Sequence, residues 1–315
     1  MLTFRPATLH DAAAEADVLT ALFPDEPLDP GIVRSWWEMH DPDATVDRHM
    51  ALRDGRVVGY VGRAHPAWEK MPERFDELAV DLFPAERDGL GEAYDFIEER
   101  SRRDGAALFA AAAREDDAAL AALLRVRGYR EERRSRAWEL DLRATGPRLR
   151  EMSERYRARM REQRIAILTI DRDTDPDKLR KLYDMSEEAA LDVPRTIPHV
   201  RESFETFMKW FATPGIREDR MWIGRQGDEL VGVSVLLYPP ARGNVWTDWT
   251  GTARRVRGRG VARALKLETL MQAIALGVER VRTENDGENA PILHLNEELG
   301  YVRIPGWVQY VKAAR

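Results

Sequence analysis

The sequence predicts an α/β (α+β) fold of two tandem domains, each with a mixed β-sheet flanked by helices. Its length of 315 residues exceeds what one hydrophobic core usually organises. Glycine landmarks recur at an offset of about 172 residues. In both halves, short β-branched segments alternate with longer segments of helical period, a pattern typical of a mixed sheet with helices packed on it.

An internal repeat supports the two-domain prediction most directly. The paired landmarks are Gly59 and Gly232, Gly89 and Gly260, Gly105 and Gly277, and Gly128 and Gly300. Their offsets are 173, 171, 172 and 172 residues. Each half also contains a glycine-rich turn before a β-branched segment, which predicts a β-hairpin. Because insertions accumulate in unrelated segments, so constant an offset indicates duplicated domains with elements of similar length.

The boundary between the domains is predicted at Thr145-Gly146-Pro147, where a helix is expected to break. This boundary divides the chain into residues 1–145 and 146–315. Residues 148–163 predict a charged linker helix with a narrow apolar stripe. The stripe consists of Leu149, Met152, Tyr156 and Met160, at spacings of three and four.

Composition excludes several classes of protein. The formal net charge of -6 gives no general electrostatic reason to bind nucleic acid or anionic lipid. The absence of cysteine rules out a disulfide, a thiolate nucleophile and a Cys-ligated zinc site. No apolar run is long enough to span a bilayer and no secretory h-region follows Met1. We therefore predict a cytoplasmic protein, a monomer or homodimer, with no metal, nucleic-acid or membrane partner.

The segment Arg257 to Ala262 predicts an anion-binding loop between a strand and a helix. Its glycines allow backbone N–H groups to point one way, towards the positive end of the helix that follows. It lacks the Lys-Ser/Thr ending of a nucleotide P-loop, since Arg263 and Ala264 come next. We expect a pyrophosphate that is held and not cleaved. An arginine-rich surface turn, or a nucleic-acid patch, is the alternative.

The surrounding motifs resemble the GNAT superfamily of CoA-dependent N-acetyltransferases. Arg257 to Ala262 is similar to that family's Gln/Arg-x-x-Gly-x-Gly/Ala signature. Thr250-Gly251-Thr252 precedes it, where the family's fourth strand diverges from the fifth. Thr283 to Pro291, followed by Leu299-Gly300-Tyr301, is similar to the family's fifth strand and terminal Gly-aromatic turn. The resemblance covers both halves, in a tandem layout like that of mycothiol synthase.

The resemblance implies acetyl-CoA as co-substrate. The residues implied to bind it are Thr250, Gly251, Thr252, Arg257, Gly258, Arg259, Gly260, Val261, Ala262 and Asn289. Backbone N–H groups of the glycine loop would hold the pyrophosphate, with the two arginines adding charge-assisted hydrogen bonds. The strand residues and Asn289 would contact the pantetheine arm, although an Asn before a helix is often only an N-cap.

The resemblance also implies direct attack of an amine on the acetyl group, without a covalent enzyme intermediate. Such a transfer needs a base that leaves the amine neutral. Asp248 is the first candidate, since alternation predicts one strand face for Trp246, Asp248, Thr250 and Thr252. Its alternative role is an ion pair with the loop arginines. Glu284 is the second candidate base, and the predicted acceptor is the primary amine of a small molecule.

One position departs from the family pattern. Many relatives place a tyrosine acid four residues before the Gly-aromatic pair, but Asn296 stands there. The departing thiolate would then take its proton from water or from Tyr301, Tyr310 or His294. The departure also supports a rival hypothesis, a non-catalytic module that binds or senses acyl-CoA.

The N-terminal half predicts a weaker version of the same loop. In Phe83 to Gly91, Glu86 stands where Arg257 stands in the other half. Asp88 and Glu92 add further negative charge around the expected phosphate position, which is unfavourable for an anion. We therefore interpret residues 1–145 as a degenerate domain of the same family, which packs against the other half or shapes its acceptor cleft.

Overall fold

A computed structural model describes residues 1–315 and shows one continuous sheet of 13 strands with helices on both faces. The strand order is β1-β2-β3-β4-β5-β13-β6-β11-β10-β9-β8-β7, and β12 pairs with β6. The mixed α/β prediction is confirmed. No helix combines the length and the apolar composition needed to cross a membrane.

The N-terminal half contains six strands and four helices. Its strands are β1 Thr3–Pro6, β2 Thr45–Arg53, β3 Arg56–His65, β4 Phe75–Leu82, β5 Leu108–Arg114 and β6 Arg130–Asp141. Its helices are α1 Ala12–Leu22, α2 Pro30–Glu38, α3 Leu90–Asp104 and α4 Ala118–Val126. The predicted hairpin is β2–β3, whose turn places Asp54 and Gly55 at positive φ. The helix α3 packs against β3 and β4 over the main apolar core of this half.

The C-terminal half repeats this order. Its strands are β7 Ala166–Thr169, β8 Met221–Gln226, β9 Glu229–Leu237, β10 Val245–Thr252, β11 Arg280–Asp286, β12 Val302–Ile304 and β13 Trp307–Ala313. Its helices are α6 Lys178–Ala190, α7 Phe204–Phe211, α8 Val261–Ala275 and α9 Ala290–Leu299. The second predicted hairpin is β8–β9, turning at Gly227. Both hairpin predictions are confirmed.

The two halves exchange strands at their junction. The start of β6 pairs with β13, and its remainder, Ser135 to Asp141, pairs with β11 of the C-terminal half. In return, β13 at the end of the chain lies between β5 and β6 and contributes Val308 and Tyr310 to the N-terminal core. Each half of the continuous sheet therefore includes a strand from the other half of the chain.

The helix between the halves, α5, spans Leu142–Glu162 and packs against α8. All four residues of the predicted apolar stripe are buried in the C-terminal core. The prediction that Gly146 and Pro147 break a helix was wrong, because both lie inside α5. Asp141 caps this helix by accepting a hydrogen bond from the Ala144 amide at 2.8 Å. Packing of the stripe outweighs the backbone bond that Pro147 cannot make.

Candidate active site in the C-terminal half

A slot opens between the neighbouring parallel strands β10 and β11. The two strands pair only at Val245–Val281 and Trp246–Arg282. Beyond that point β10 stays with β9 as far as Thr252, and β11 stays with β6. The facing edges of the two strands therefore carry backbone groups that no neighbouring strand satisfies, which suits an extended ligand with amide groups.

The loop between β10 and α8 has the geometry of an anion cradle. Gly258 and Gly260 have φ values of 72° and 90°, in the left-handed region that favours glycine. Gly260 is the N-cap of α8, and no side chain caps that helix. The amides without a protein acceptor are those of Gly258, Gly260, Val261, Ala262 and Arg263. Five free N–H groups at the positive end of a 15-residue helix form a site for a phosphate group.

Acidic side chains already pair with most of the arginines around this cradle. Asp192, after α6, binds Arg254 Nε at 2.7 Å and Arg257 NH1 at 2.6 Å. These hydrogen bonds hold the pKa of the Asp192 carboxyl far below its usual range. Arg259 has an uncharged partner, Gln163, at 2.8 Å. Nothing in the sequence around Asp192 indicated this role, because the contact joins segments 62 residues apart.

A β-bulge at Asp248 changes which residues of β10 share a face. The pairing with β9 shifts between Thr247 and Trp249, so that Asp248 is the extra residue. Trp246 and Thr250, expected on one face, consequently lie on opposite faces. The prediction from simple alternation was wrong at this point, because it counts residues and a bulge adds one.

The two faces of β10 are covered by different helices. A Cβ placed on Gly232, which is opposite Thr252, would lie 2.8 Å from Leu265 of α8. A Cβ on Gly251 would lie 3.2 Å from Ala189 of α6. Thr247, Thr250 and Thr252 therefore face α8, while Trp249 and Gly251 face α6. The Thr250 hydroxyl on the α8 face lies 2.9 Å from the Ser234 hydroxyl.

Asp248 lies on the α6 face and forms no ion pair with the loop arginines, which answers the alternative raised by the sequence. Its Oδ2 accepts a hydrogen bond of 2.7 Å from the indole N–H of Trp210 on α7. Solvent reaches the Asp248 side chain, although the surrounding protein partly desolvates its carboxylate. That partial loss of water raises the pKa of the Asp248 carboxyl, and the hydrogen bond from Trp210 opposes the rise. Trp210 is a site residue that the sequence reasoning missed.

Glu284 lies on the same face of the sheet, across the slot on β11. It accepts a hydrogen bond from the Ser135 hydroxyl of β6. Burial raises the pKa of Glu284, the Ser135 hydrogen bond lowers it, and nearby Glu115 raises it further. The two sequence candidates for a base therefore flank the slot, one on each diverging strand.

The candidate proton donors are dispersed. Tyr310 lies in the N-terminal core and His294 is exposed on α9, where it faces Glu298. Asn296 is fully buried and donates to Asn285 Oδ1 of β11 at 2.7 Å. Asn289 begins α9 without a side-chain capping bond, so its amide has no intrahelical role. Only Tyr301 lies against β10, with its hydroxyl facing that of Thr247.

The donor chemistry of the cradle and slot fits acetyl-CoA. The free amides and left-handed glycines suit its pyrophosphate, and the open strand edges suit the two amides of its pantetheine arm. Replacing Gly260 with any larger residue would bring a Cβ to 3.0 Å from the Tyr156 ring, so close backbone approach is built into the loop. No group of three or more His, Asp or Glu side chains is arranged to hold a metal ion.

Comparisons with known proteins agree with this geometry. Residues 179–301 match the model of the Acetyltransferase (GNAT) family. That stretch contains both diverging strands, the glycine loop and α8. No protein with curated annotation is significantly similar to the sequence.

Solved structures share the whole architecture. A tandem GNAT protein from the clavulanic acid biosynthesis pathway superposes with a TM-score of 0.75 at 17% identity, covering 100% of this chain and 99% of the other. A GCN5-related N-acetyltransferase from Sphaerobacter thermophilus gives 0.68 at 18% identity, over 100% and 96%. A GNAT-family acetyltransferase from Colwellia psychrerythraea gives 0.58 at 13%, over 98% and 99%. At these identities the likeness shows the fold.

The chain therefore has the fold of tandem GNAT proteins, and residues 179–301 of its C-terminal half match the GNAT family model.

Proposed function

We propose that the C-terminal half is an N-acetyltransferase that moves an acetyl group from acetyl-CoA to the primary amine of a small molecule by direct attack. The observation that carries the proposal is the group of free amides at the mouth of the slot between β10 and β11, those of Gly258, Gly260, Val261, Ala262 and Arg263. A row of unpartnered donors at a helix start is costly unless water or an anion satisfies it.

In this proposal the loop binds the pyrophosphate through the amides of Gly258, Gly260, Val261 and Ala262. Arg257 and Arg259 add charge-assisted hydrogen bonds. Binding requires Arg257 to share or leave Asp192, which it contacts at 2.6 Å. The backbone of Thr250, Gly251 and Thr252 offers its free edge to the pantetheine arm, and Asn289 reaches it from the start of α9.

Acetyl-CoA supplies the activated thioester. Asp248 accepts a proton from the amine as it attacks, directly or through a water molecule. Its raised pKa makes it a stronger base than an ordinary aspartate. Trp210 fixes its orientation through the indole N–H. Glu284, on the other side of the slot, is the second candidate for this role.

The N-terminal half would shape the path of the acceptor. A cavity of about 380 Å³ lies between the halves, with walls from β2 and β3 and from residues 195–206. Thr206 in its wall is four residues before Trp210 on α7, so one helical turn separates the cavity from the indole that binds Asp248. A cavity of this size suits a small molecule.

A second candidate function is a non-catalytic module that binds acyl-CoA. Asn296 favours it, because the buried amide bonded to Asn285 cannot donate a proton to a thiolate. The two functions predict the same CoA binding and differ in turnover.

Calorimetry with CoA and mass spectrometry of a panel of amines incubated with acetyl-CoA separate the two. The acetyltransferase predicts tight CoA binding and at least one amine that gains an acetyl group faster than in a Gly258→Asp control. Binding without acetylation of any amine, or thioester loss, would favour the sensor. Absence of CoA binding would contradict both.

A further inference from the structure

A cluster of buried polar groups without partners lies on the α8 face of the C-terminal sheet. Four side chains in it are at least nine-tenths buried, and each has a polar atom with no hydrogen bond. They are Lys266, Asn296, Trp138 and Tyr301, with exposed fractions of 1%, 0%, 4% and 5%. The Thr247 hydroxyl is a fifth such group. Most buried polar atoms of native proteins are hydrogen-bonded, and Lys266, Tyr301 and Thr247 are neighbours here, so their unpaired atoms indicate a missing partner.

The cluster lies at the closed end of the slot, where the pairing of β10 with β11 ends; we call this point the vertex. Thr247 is the first residue of β10 after its pairing with β11 ends. The hydroxyls of Tyr301 and Thr247 face each other without the geometry of a formed hydrogen bond. The Lys266 ammonium lies 5.2 Å from the centre of the Tyr301 ring. Asp248, one residue further along β10, points to the opposite face.

The spacing along β10 connects this vertex with the phosphate cradle. From Thr252 at the cradle to Thr247 at the vertex is five residues, or about 17 Å of extended strand. That distance is comparable with the extended pantetheine arm of CoA. If the proposed function holds, the sulfur of a CoA bound at Gly258 to Ala262 therefore comes to the vertex.

We infer that Lys266 and Tyr301 receive the departing thiolate of CoA and that Lys266 protonates it. Lys266 would thus do what the tyrosine at the position of Asn296 does in many relatives. As the amine nitrogen forms its bond to the acetyl carbon, the carbon–sulfur bond breaks and its electron pair goes to sulfur. The nitrogen loses a proton to Asp248, and the sulfur gains one from the Lys266 ammonium. Proton exchange with solvent then restores both side chains, so atoms and charge balance.

The electrostatics of Lys266 suit this role. It has no acidic neighbour, because Glu268 on the same helix is turned to α5, where it binds Arg157 and Ser153. Tyr301 is the titratable group facing it. A buried ammonium without a counter-charge is stabilised by an anion that forms beside it. Burial lowers the pKa of Lys266 to about 7, which suits a proton donor that operates near neutral pH.

The test compares CoA with desulfo-CoA, which lacks the sulfur, by calorimetry and by the ultraviolet absorbance of the bound thiolate between pH 6 and pH 10. We expect the thiol of bound CoA to have a pKa at least one unit below that of free CoA, a tenfold or greater change in ionisation. Lys266→Met, which keeps the side-chain volume, should return that pKa to the value of free CoA. Tyr301→Phe should return it in part, and Lys70→Met, at an ion pair in the N-terminal half, should not change it.

Desulfo-CoA separates failure of this inference from failure of the proposed function. If desulfo-CoA and CoA bind with equal affinity at every pH and the thiol of bound CoA keeps the pKa of free CoA, Lys266 does not receive the thiolate. Binding of both compounds would still support the phosphate cradle. A lowered thiol pKa that survives in Lys266→Met would also overturn the inference. If neither compound binds the wild-type protein, the proposed acetyltransferase function is wrong.

Discussion

The two halves contain the same diverging pair of parallel strands but follow it with different loops. In the N-terminal half, β4 and β5 pair only between Phe75 and Leu78 on β4, so a comparable slot opens. The loop after β4 is a 3-10 helix, Pro84–Gly89, which runs directly into α3. Gly89 has φ of -80°, in contrast to the left-handed Gly260. Its amides therefore continue the helical backbone and do not converge on one point.

Charge separates the loops as strongly as backbone geometry. In the N-terminal half Arg87 binds Asp117 at 2.7 Å, and Arg53 binds Glu86 and Asp88 at 2.6 and 2.9 Å. The arginines that could attract an anion are thus held by acids of the same region. In the C-terminal half Asp192 pairs with Arg254 and Arg257, and Arg255 and Arg263 pair with Glu229 and Glu298. Arg259 has no acidic partner and binds Gln163 instead. Glycine spacing alone, which both loops share, does not make an anion site; glycine conformation and free positive charge do.

The largest effect is expected from a charge placed inside the cradle. A Cβ on Gly258 meets nothing within 4 Å, and Asp and Asn tolerate its φ of 72° better than other residues. Gly258→Asp should weaken CoA binding at least about a hundredfold through repulsion of the pyrophosphate. Gly258→Asn, whose side chain has the shape of Asp without the charge, should weaken CoA binding less than about fivefold, measured by calorimetry.

The matched control in the other half is Gly91→Asp, because Gly91 also has open space around its Cβ. We expect it to leave CoA affinity unchanged. Equal losses for Gly258→Asp and Gly258→Asn would show that shape, not charge, matters in the cradle. A loss of CoA affinity in Gly91→Asp would place the CoA site in the N-terminal half and contradict its assignment to the C-terminal loop.

The next effect is on turnover. Asp248→Asn keeps the shape and the contact with Trp210 but removes the base, so kcat should fall by about a hundredfold or more while CoA affinity changes less than about twofold. Wild-type activity should rise with pH as the Asp248 carboxyl ionises, in a limb lying above the ordinary value of 3.8. That limb should disappear in the variant. If Glu284→Gln gives the larger loss instead, Glu284 is the base.

Stability tests the buried lysine independently of any ligand. Burial lowers the pKa of Lys266 from 10.5 to about 7, so between these values the unfolded chain carries a proton that the folded protein has released. Wild-type stability should therefore gain as pH rises through this window, and Lys266→Met should lack the gain. At pH 7 and below the variant should be more stable by several kcal/mol, because a pKa difference of one between the folded and unfolded states corresponds to about 1.4 kcal/mol.

Urea denaturation at pH 6.5 and pH 9.5 measures this difference. An advantage of Lys266→Met that is the same at both pH values would contradict a buried lysine with a lowered pKa.

The fold and the cradle could be predicted from the sequence because both depend on local signals. Hairpin turns, the glycines of the loop and the apolar stripe of α5 are each determined by residues close together in the sequence. The side-chain contacts of the site could not be predicted, because each of them joins distant segments. Trp210 meets Asp248 across 38 residues, and Lys266 meets Tyr301 through packing. The bulge at Asp248 depends on pairing with β9, which spacing along one strand does not reveal.

A smaller effect is expected at Asp192, the counter-ion of the cradle. Asp192→Asn frees Arg254 and Arg257 and should tighten CoA binding about two- to fivefold at low salt, as exposed ion pairs contribute little. The gain should fade as salt rises towards about 1 M, where charges are screened within about 3 Å. Weaker binding would indicate that Asp192 positions the arginines for the phosphate.

The smallest effect is expected from removing the acidic side chains of the N-terminal loop, which tests whether backbone geometry or negative charge prevents that loop from binding CoA. The double variant Glu86→Gln and Asp88→Asn removes its acids but leaves Gly89 in a helical conformation. We expect no second CoA site in calorimetric titrations. A second equivalent of bound CoA would show that charge alone keeps that half inactive.

The most direct measurement is the stoichiometry of CoA binding, determined by calorimetry on the wild-type chain and on Gly258→Asp. We expect one CoA per chain in the wild type and no measurable binding in the variant, because only the loop from Arg257 to Ala262 combines left-handed glycines with free amides and positive charge. Two equivalents in the wild type, or one equivalent bound with unchanged affinity in Gly258→Asp, would contradict it.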